Sequence, residues 1–133
     1  MEQSIIQVTA AVIIHKGKIL IARRRRDQHM GLKWEFPGGK IKENEIPEAC
    51  LIRELLEEFS IKTRIRELFH RNIHHYEKKS IELISFLVDY LSGEFVLRDH
   101  EEIRWVTREE LALYDFADAD IPTVKKLSTM RFS

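Results

Sequence analysis

A single cysteine, Cys50, stands in a chain of 133 residues, so an intramolecular disulfide is excluded and a reducing compartment is expected. Only three Pro and five Gly are present. No stretch rich in Pro, Gly or Ser interrupts the chain, which excludes a flexible linker and a low-complexity tract. Net charge is absent as well, since 22 Lys plus Arg balance 22 Asp plus Glu. A broad basic surface would leave a positive excess, so no stable nucleic-acid partner is expected. A local basic pocket for a small anion remains open. No apolar run approaches the roughly 18 residues of a membrane span. The opening MEQSIIQ carries no basic segment before a long apolar stretch, so no signal peptide is expected and the setting reads as cytoplasmic.

What is present suits one globular domain over residues 1–133. Hydrophobic residues make up 44% and charged residues 33%, enough apolar material for a core without staples. The β-branched run 5–14 predicts a strand buried on both faces. A hairpin turn at 15–18 and a second strand at 19–22 follow. Then come a polar loop, RRRRDQHMGLK, and the short stretch Trp34-Glu35-Phe36. The pattern from Pro47 to Phe59 is helical, with Pro47 in the first turn. Segments 62–76 and 80–91 read as strands joined by a polar turn, with another turn at 92–94 and a short strand at 103–106. Thr107-Arg108-Glu109-Glu110 is a capping box. A last helix is expected over 121–127, with Asp120 at its N-cap. Mixed strands and helices predict an α+β class, a mixed sheet packed on helices.

The helix at 47–59 carries the strongest chemical signal. At about 100° per residue, Ala49, Leu51, Ile52, Leu55, Leu56 and Phe59 fill one arc, which predicts the buried face. Glu54, Glu57 and Glu58 gather on the other side, with Arg53 at its edge. Like charges three and four apart destabilise a bare helix by roughly 0.2–0.5 kcal/mol per pair. Arg53 offsets part of that through Glu57. A divalent cation is the natural remaining partner, because hard cations take carboxylate and carbonyl oxygens and share them with phosphate. A merely solvated charged face is the plain alternative. What precedes the helix adds specificity: Phe36-Pro37-Gly38-Gly39-Lys40 reads as a tight glycine turn on which a ligand can lie close to backbone, and Glu45 adds another acid.

The stretch Gly39-x5-Glu45-x7-Arg53-Glu54-Leu55-x-Glu57-Glu58-x-Ser60-Ile61 resembles the signature box of the Nudix hydrolases at every defined position but one. The family pattern has Gly where Ser60 stands. That Gly ends the helix, commonly at positive φ, so Ser60 costs on the order of 1 kcal/mol. Upstream, RRRRDQHMGLKWEFPGGK is similar to the MutT-type branch, as is FADADIP near the end. That branch hydrolyses nucleoside triphosphates to monophosphate and pyrophosphate. The resemblance implies an α/β/α sandwich, and a Mg²⁺ cofactor with Mn²⁺ as an alternative ion. Glu54, Glu57 and Glu58 are the expected metal ligands, and the resemblance adds the Gly38 carbonyl.

The resemblance also assigns roles, each beside a plainer one. Arg53 orients the carboxylates, or is a surface ion pair. Glu45 supports the ligands or braces the loop. A late acid is expected as ligand or base: Asp99 by its spacing to Trp105, with Glu102 as the other candidate. The base is Asp99 or Glu54. Arg53, Glu54, Glu57 and Asp99 thus form the expected catalytic set. On the substrate side, Arg24 is expected to reach the nucleotide with His29 close by. Phe36 lies under the base, and Glu35, Pro37 and Gly38 belong to the same segment. Lys79 falls where the MutT type has Arg.

Asp120 replaces an amide of that type. An ionised Asp only accepts hydrogen bonds, which suits cytosine N4 or the N7–H of 8-oxoguanine. Pairing with guanine O6 needs a protonated Asp, hence a raised pKa. Cys50 is expected as helix filler, Trp105 as core, and His70, His74 and His75 on a strand surface. The leading expectation is a Mg²⁺-dependent 8-oxo-dGTP diphosphatase of nucleotide-pool sanitation, acting in DNA repair and replication. CTP or a 5-substituted dCTP is the alternative substrate. A non-catalytic nucleotide-binding domain and a protein-interaction domain are the other classes. The chain is expected to be a monomer or homodimer.

Overall fold

β1 (Ile5–His15) turns Ala10 and Val12 to one side and Ala11 and Ile13 to the other, and all four are fully buried. A strand buried on both faces needs a layer on each. The computed structural model describes residues 4–130 and has both layers. The expectation about the chain's opening falls partly on residues 1–3, which lie outside the described residues.

Along the chain follow β2 (Lys18–Arg24), β3 (Trp34–Glu35), β4 (Gly38–Lys40), α1 (Pro47–Phe59), β5 (Lys62–His75), β6 (Ser80–Ser92) and β7 (His100–Val106). Two 3-10 turns, Glu109–Leu113 and Asp118–Asp120, lead into α2 (Ile121–Ser128). The strands form one mixed sheet in the order β3-β2-β1-β6-β5, with β4 paired to β1 and β7 to β2. β1 and β6 run parallel from Ile5↔Ser80 to Ile14↔Asp89, while β5 and β6 form a long antiparallel hairpin. Leu51, Leu55 and Phe59 of α1 fill one face with Ala11, Ile13 and Leu20. Leu127 of α2 packs on the other with Val12, Phe36 and Phe116. The fold is the expected α+β sandwich. Truncating any of the large buried α1 side chains to Ala costs roughly 2–5 kcal/mol, which is what holds the acidic helix in place. Among the described residues, no helix is long and apolar enough to cross a membrane.

Four local expectations are corrected. Gly38 and Gly39 do not make a turn. They belong to β4, opposite Ala10 and Thr9, with neither at positive φ. The buried face of α1 comprises Cys50, Leu51, Leu55, Glu58 and Phe59, while Ala49, Ile52 and Leu56 are exposed. The helix is therefore rolled toward its acids. Trp105 is half-buried, at the margin of the core beside His15 and Phe95. Asp120 precedes α2 as expected but makes no side-chain cap. The capping box does form, with the Thr107 N–H on Glu110 Oε1 at 2.9 Å and the Glu110 N–H on Thr107 Oγ1 at 3.2 Å.

α1 ends where the pattern predicts. Ser60 adopts φ 60° and ψ 33°, and its N–H caps the Leu56 carbonyl. A side chain in this left-handed region is strained, and glycine is not. Ser60→Gly is expected to stabilise the protein by about 0.5–1 kcal/mol, the relieved strain less the extra freedom of the unfolded chain. Urea unfolding of the two proteins measures it, and an unchanged midpoint contradicts it.

Candidate functional site

The polar centre begins at the loop before α1. The Lys42 N–H donates to Glu45 Oε1 at 3.0 Å. Arg53 grips the same carboxylate with a two-pronged fork, Nε to Oε2 at 2.7 Å and Nη2 to Oε1 at 2.9 Å. That bond, followed by the Lys42 N–H, holds the Glu45 carboxyl down at about 2. Arg53 Nη1 then donates to Glu54 Oε1 at 2.9 Å and to Glu57 Oε2 at 3.1 Å, and Nη2 to the Lys40 carbonyl at 3.3 Å. One guanidinium therefore ties the loop, β4 and two helix acids together, more than a surface ion pair does. Glu45 is a brace for Arg53.

β4 brings backbone to these acids. A Cβ on Gly38 would lie 2.0 Å from the Thr9 carbonyl oxygen, and one on Gly39 would lie 2.3 Å from Glu54 Cδ. Gly38 needs glycine for its close approach to the β1 backbone, whereas a side chain at Gly39 would displace the Glu54 carboxylate. The Ile41 N–H bonds the Gln7 carbonyl and the Ala11 N–H bonds the Pro37 carbonyl. This phase of the ladder turns the Gly38 and Lys40 carbonyls away from β1. The Lys40 carbonyl meets α1 through Arg53 and Cys50, and the Gly38 carbonyl, two residues earlier, points the same way.

Glu58 is buried beside this edge, and its Oε2 has no partner among the described residues. Burial first, then the neighbouring Glu54, push its carboxyl up to about 10, with Glu35 and Asp99 adding to the effect. Acids crowded this way call for a proton or a cation. Among the described residues no three His, Cys, Asp or Glu side chains already stand together as a ligand set, and Arg53 engages Glu54 and Glu57. The donors still suit a hard cation: carboxylates, an outward carbonyl, and a buried oxygen lacking a bond.

Glu58 opens into a cleft of about 260 Å³ whose walls also include Gly38, Gly39, Asp99, Arg24, His29, Glu35, Phe36, Lys79 and Asp120. Of the expected substrate residues only Pro37 is absent from the walls. It is buried behind them, its carbonyl bonded to the Ala11 N–H. Arg53, Glu54 and Glu57 stand outside the walls, on α1 beyond Gly39. Between the two acid candidates the geometry separates clearly. Asp99 lines the cleft, whereas Glu102 is drawn off by Arg104 at 2.5 Å and Arg23 at 3.9 Å.

The far end of the cleft is aromatic. Phe36 lies tilted on Phe116 at 5.3 Å, and His29 meets Tyr76 edge-on at 4.7 Å. Burial, Lys79 and Arg24 lower the His29 pKa. Asp120 is buried, and its Oδ1 accepts the Phe36 N–H at 3.1 Å. Burial first, then the Glu35 carboxylate, push it well above its ordinary 3.8. Glu35 sits between the two ends. Arg24 Nη1 donates to its Oε1 and His100 Nε2 to its Oε2, each at 2.7 Å. Burial opposes its charge, but these bonds outweigh it and hold the carboxyl below the usual 4.5.

His100 and Tyr76 are wall residues that sequence reading missed. Tyr76 closes the predicted strand 62–76 and His100 falls before the predicted strand 103–106, where no spacing marks either of them. Cys50 fills space against Thr9 and Lys40 as expected. His70, His74 and His75 lie along β5, outside the cleft walls.

The NUDIX domain profile matches residues 5–127. The chain belongs to the Nudix family. It is 32% identical over 126 residues to a CTP pyrophosphohydrolase of Escherichia coli (strain K12), covering 95% of this chain and 93% of that one. It is 33% identical over 126 residues to an 8-oxo-dGTP diphosphatase of the same organism, covering 94% and 98%. The solution structure of the E. coli ORF135 protein superposes with a TM-score of 0.82 at 33% identity, over 93% of this chain and 89% of that chain. This Nudix protein is accordingly an enzyme acting on pyrophosphate bonds, of a family that generally needs a divalent metal.

The Arg53 fork gives the Nudix enzyme a pH signature. Glu45 titrates near 2 when folded and near 4.5 when free. Its stabilising effect is full above the free value and fades as pH falls toward the folded one. Glu45→Gln is expected to lower the melting temperature at pH 6–7, with the gap to the parent closing by about pH 2. A gap that is constant with pH contradicts it.

Proposed function

We propose that this enzyme hydrolyses a nucleoside triphosphate to the monophosphate and pyrophosphate, with 8-oxo-dGTP as preferred substrate and nucleotide-pool sanitation, in support of DNA repair and replication, as its role. The observation that carries the reading is a two-ended cleft. Acids and an outward backbone carbonyl crowd one end, and a flat aromatic with a buried hydrogen-bonding carboxyl forms the other. A nucleoside triphosphate has the matching halves.

Glu54, Glu57, Glu58 and the Gly38 carbonyl are the residues that would hold Mg²⁺, or Mn²⁺ in its place. When bound, the ion would screen the phosphate charge and lower the pKa of a coordinated water. Arg53 keeps Glu54 and Glu57 in reach of one another and itself stays outside the cleft. Asp99, which lines the same cleft as Glu58, is the acid we assign to accept the proton of the attacking water. Phe36 and His29 flank the base, while Arg24 and Lys79 offer positive charge to the phosphates and sugar. Residues 1–133 act as one domain, and a reducing cytoplasm suits the single buried Cys50. Nothing in the arrangement needs a nucleic-acid or membrane partner, and a monomer or homodimer serves equally.

The choice of base rests on Asp120. Its raised pKa, set by burial and by Glu35 and opposed by the Phe36 N–H and by Arg24, favours a carboxylic acid that both donates and accepts. Such a group can serve guanine O6 and, through its other oxygen, an N–H of the oxidised base. An ionised Asp120 would favour the exocyclic amine of CTP or a 5-substituted dCTP.

Pyrophosphate release with Mg²⁺ over 8-oxo-dGTP, dGTP, CTP and 5-methyl-dCTP tests the reading. The expected kcat/KM for 8-oxo-dGTP exceeds that for dGTP by about tenfold or more, as donor-acceptor matching allows. Equal values overturn the substrate, and a CTP preference transfers it to the alternative. Because the donor is present only while Asp120 keeps its proton, 8-oxo-dGTP turnover should fall as pH rises through the raised pKa. Asp120→Asn, whose amide donates at any pH, should lose that fall. An identical pH limb in the variant contradicts the protonated-Asp account.

A further inference from the structure

The acid expected to take part in the reaction lies in a loop, yet its neighbours are fixed. Arg98 Nη1 donates to the Glu57 carbonyl at 2.9 Å. That carbonyl belongs to the last turn of α1, where backbone oxygens lack helical partners. The turn contains no basic residue of its own, so Arg98 also supplies the positive charge that a helix C-terminus favours. The Val96 N–H takes the Phe59 carbonyl at 2.9 Å. Loop 93–99 is thereby fastened to the end of the helix that carries Glu54, Glu57 and Glu58.

On the other flank, His100 opens β7 and is buried. Its ring stacks on Phe59 at 5.2 Å, and its Nε2 donates to Glu35 at 2.7 Å. Arg25 adds a third hold, Nη1 to the Arg98 carbonyl at 3.0 Å.

We propose that Arg98 and His100 are positioning residues that hold Asp99 at the acidic end of the cleft from both sides. One attaches the loop to the end of the acidic helix, and the other attaches it to the wall that orients Arg24. Asp99 is the single residue between them, so its backbone has little freedom and its side chain is kept on the cleft wall that Glu58 shares. The inference rests on the reading of Asp99 as a reacting acid. It adds a reason why an exposed loop residue can act with the accuracy of a buried one. Neither Arg98 nor His100 need touch substrate for this.

The test uses the full chain and five variants, Arg98→Ala, Arg98→Lys, His100→Phe, His100→Gln and Asp99→Asn. Amide hydrogen exchange over residues 97–101 is measured on metal-free protein, and kcat and KM with Mg²⁺ and the best nucleotide of the panel. Arg98→Ala and His100→Phe are expected to speed local exchange about tenfold or more. They should lower kcat roughly 10- to 100-fold with KM within about threefold, the mark of a misplaced reacting group. Arg98→Lys and His100→Gln restore a donor and should recover most of both. If Asp99→Asn is inactive while Arg98→Ala and His100→Phe keep exchange and kcat within about twofold of the parent, the positioning role is overturned. A lower melting temperature with unchanged kcat per folded molecule overturns it equally. If Asp99→Asn keeps parental kcat, the reading of Asp99 itself fails, and the positioning role falls with it whatever the exchange shows.

Discussion

Two carboxyl groups, one buried and one half-buried, within reach of each other set the terms for the whole site. Glu54 and Glu58 stand one turn apart on α1, and Glu58 is buried with an oxygen that has no partner among the described residues. Packing of Leu51, Leu55 and Phe59 forces this on them, because each apolar anchor is worth several kcal/mol and together they fix the roll of the helix. The acids must accept whatever position that roll assigns. The crowding pushes the Glu58 carboxyl up to about 10, and Arg53 offsets part of the charge on Glu54 and Glu57 as well as on Glu45. A divalent cation bound among these oxygens would offset the same crowding. Of the two β4 glycines, Gly39 bears on this crowding. Any side chain at Gly39 would occupy the place of the Glu54 carboxylate.

The other end of the cleft is governed by Glu35. Arg24 and His100 keep it charged despite burial, and its field then reaches both Glu58 and Asp120. One carboxylate thus discourages ionisation at Glu58 and at Asp120. The two halves of the cleft, though built from different elements, respond to a common charge. Its two hydrogen-bond partners also explain why Arg24, expected as a nucleotide contact, has its Nη1 already engaged at 2.7 Å. Its orientation on the cleft wall is thereby held by Glu35.

Much of this was legible in the order of residues, and the misses have physical causes. The bounds of α1 were readable because Pro47 suits only a first turn and the apolar run ends at Phe59. Its buried face was misjudged because amphipathic pattern measures polarity, whereas this helix buries Glu58 and exposes Ile52 and Leu56. A functional site is where polarity and burial part company. Gly38-Gly39 read as a turn because paired glycines usually make one. Here they are strand residues chosen for close approach, a fact visible only with Thr9 and Glu54 in place. Asp120 was located correctly before α2, but its side chain turns to the Phe36 N–H, 84 residues away in sequence. Such a partner has no local signature. His100 gave no signal at all, since its neighbours Glu35 and Phe59 lie 65 and 41 residues upstream.

The departure at Ser60 shows how the site tolerates a local cost. Glycine would relieve the left-handed conformation there, yet the cap bond to Leu56 forms with Ser, so the helix end keeps its geometry. The glycine that cannot be exchanged lies across from it. Gly93 sits at φ +109°, and a Cβ there would come within 2.6 Å of the Ser60 carbonyl oxygen. Close packing of loop 93–99 on the end of α1 therefore depends on Gly93 more than on residue 60. From that contact the loop runs to Arg98 and its bond to the Glu57 carbonyl. The strain at Ser60 stays confined to one residue, while the distance between the helix acids and Asp99 is set by the loop that glycine 93 lets approach.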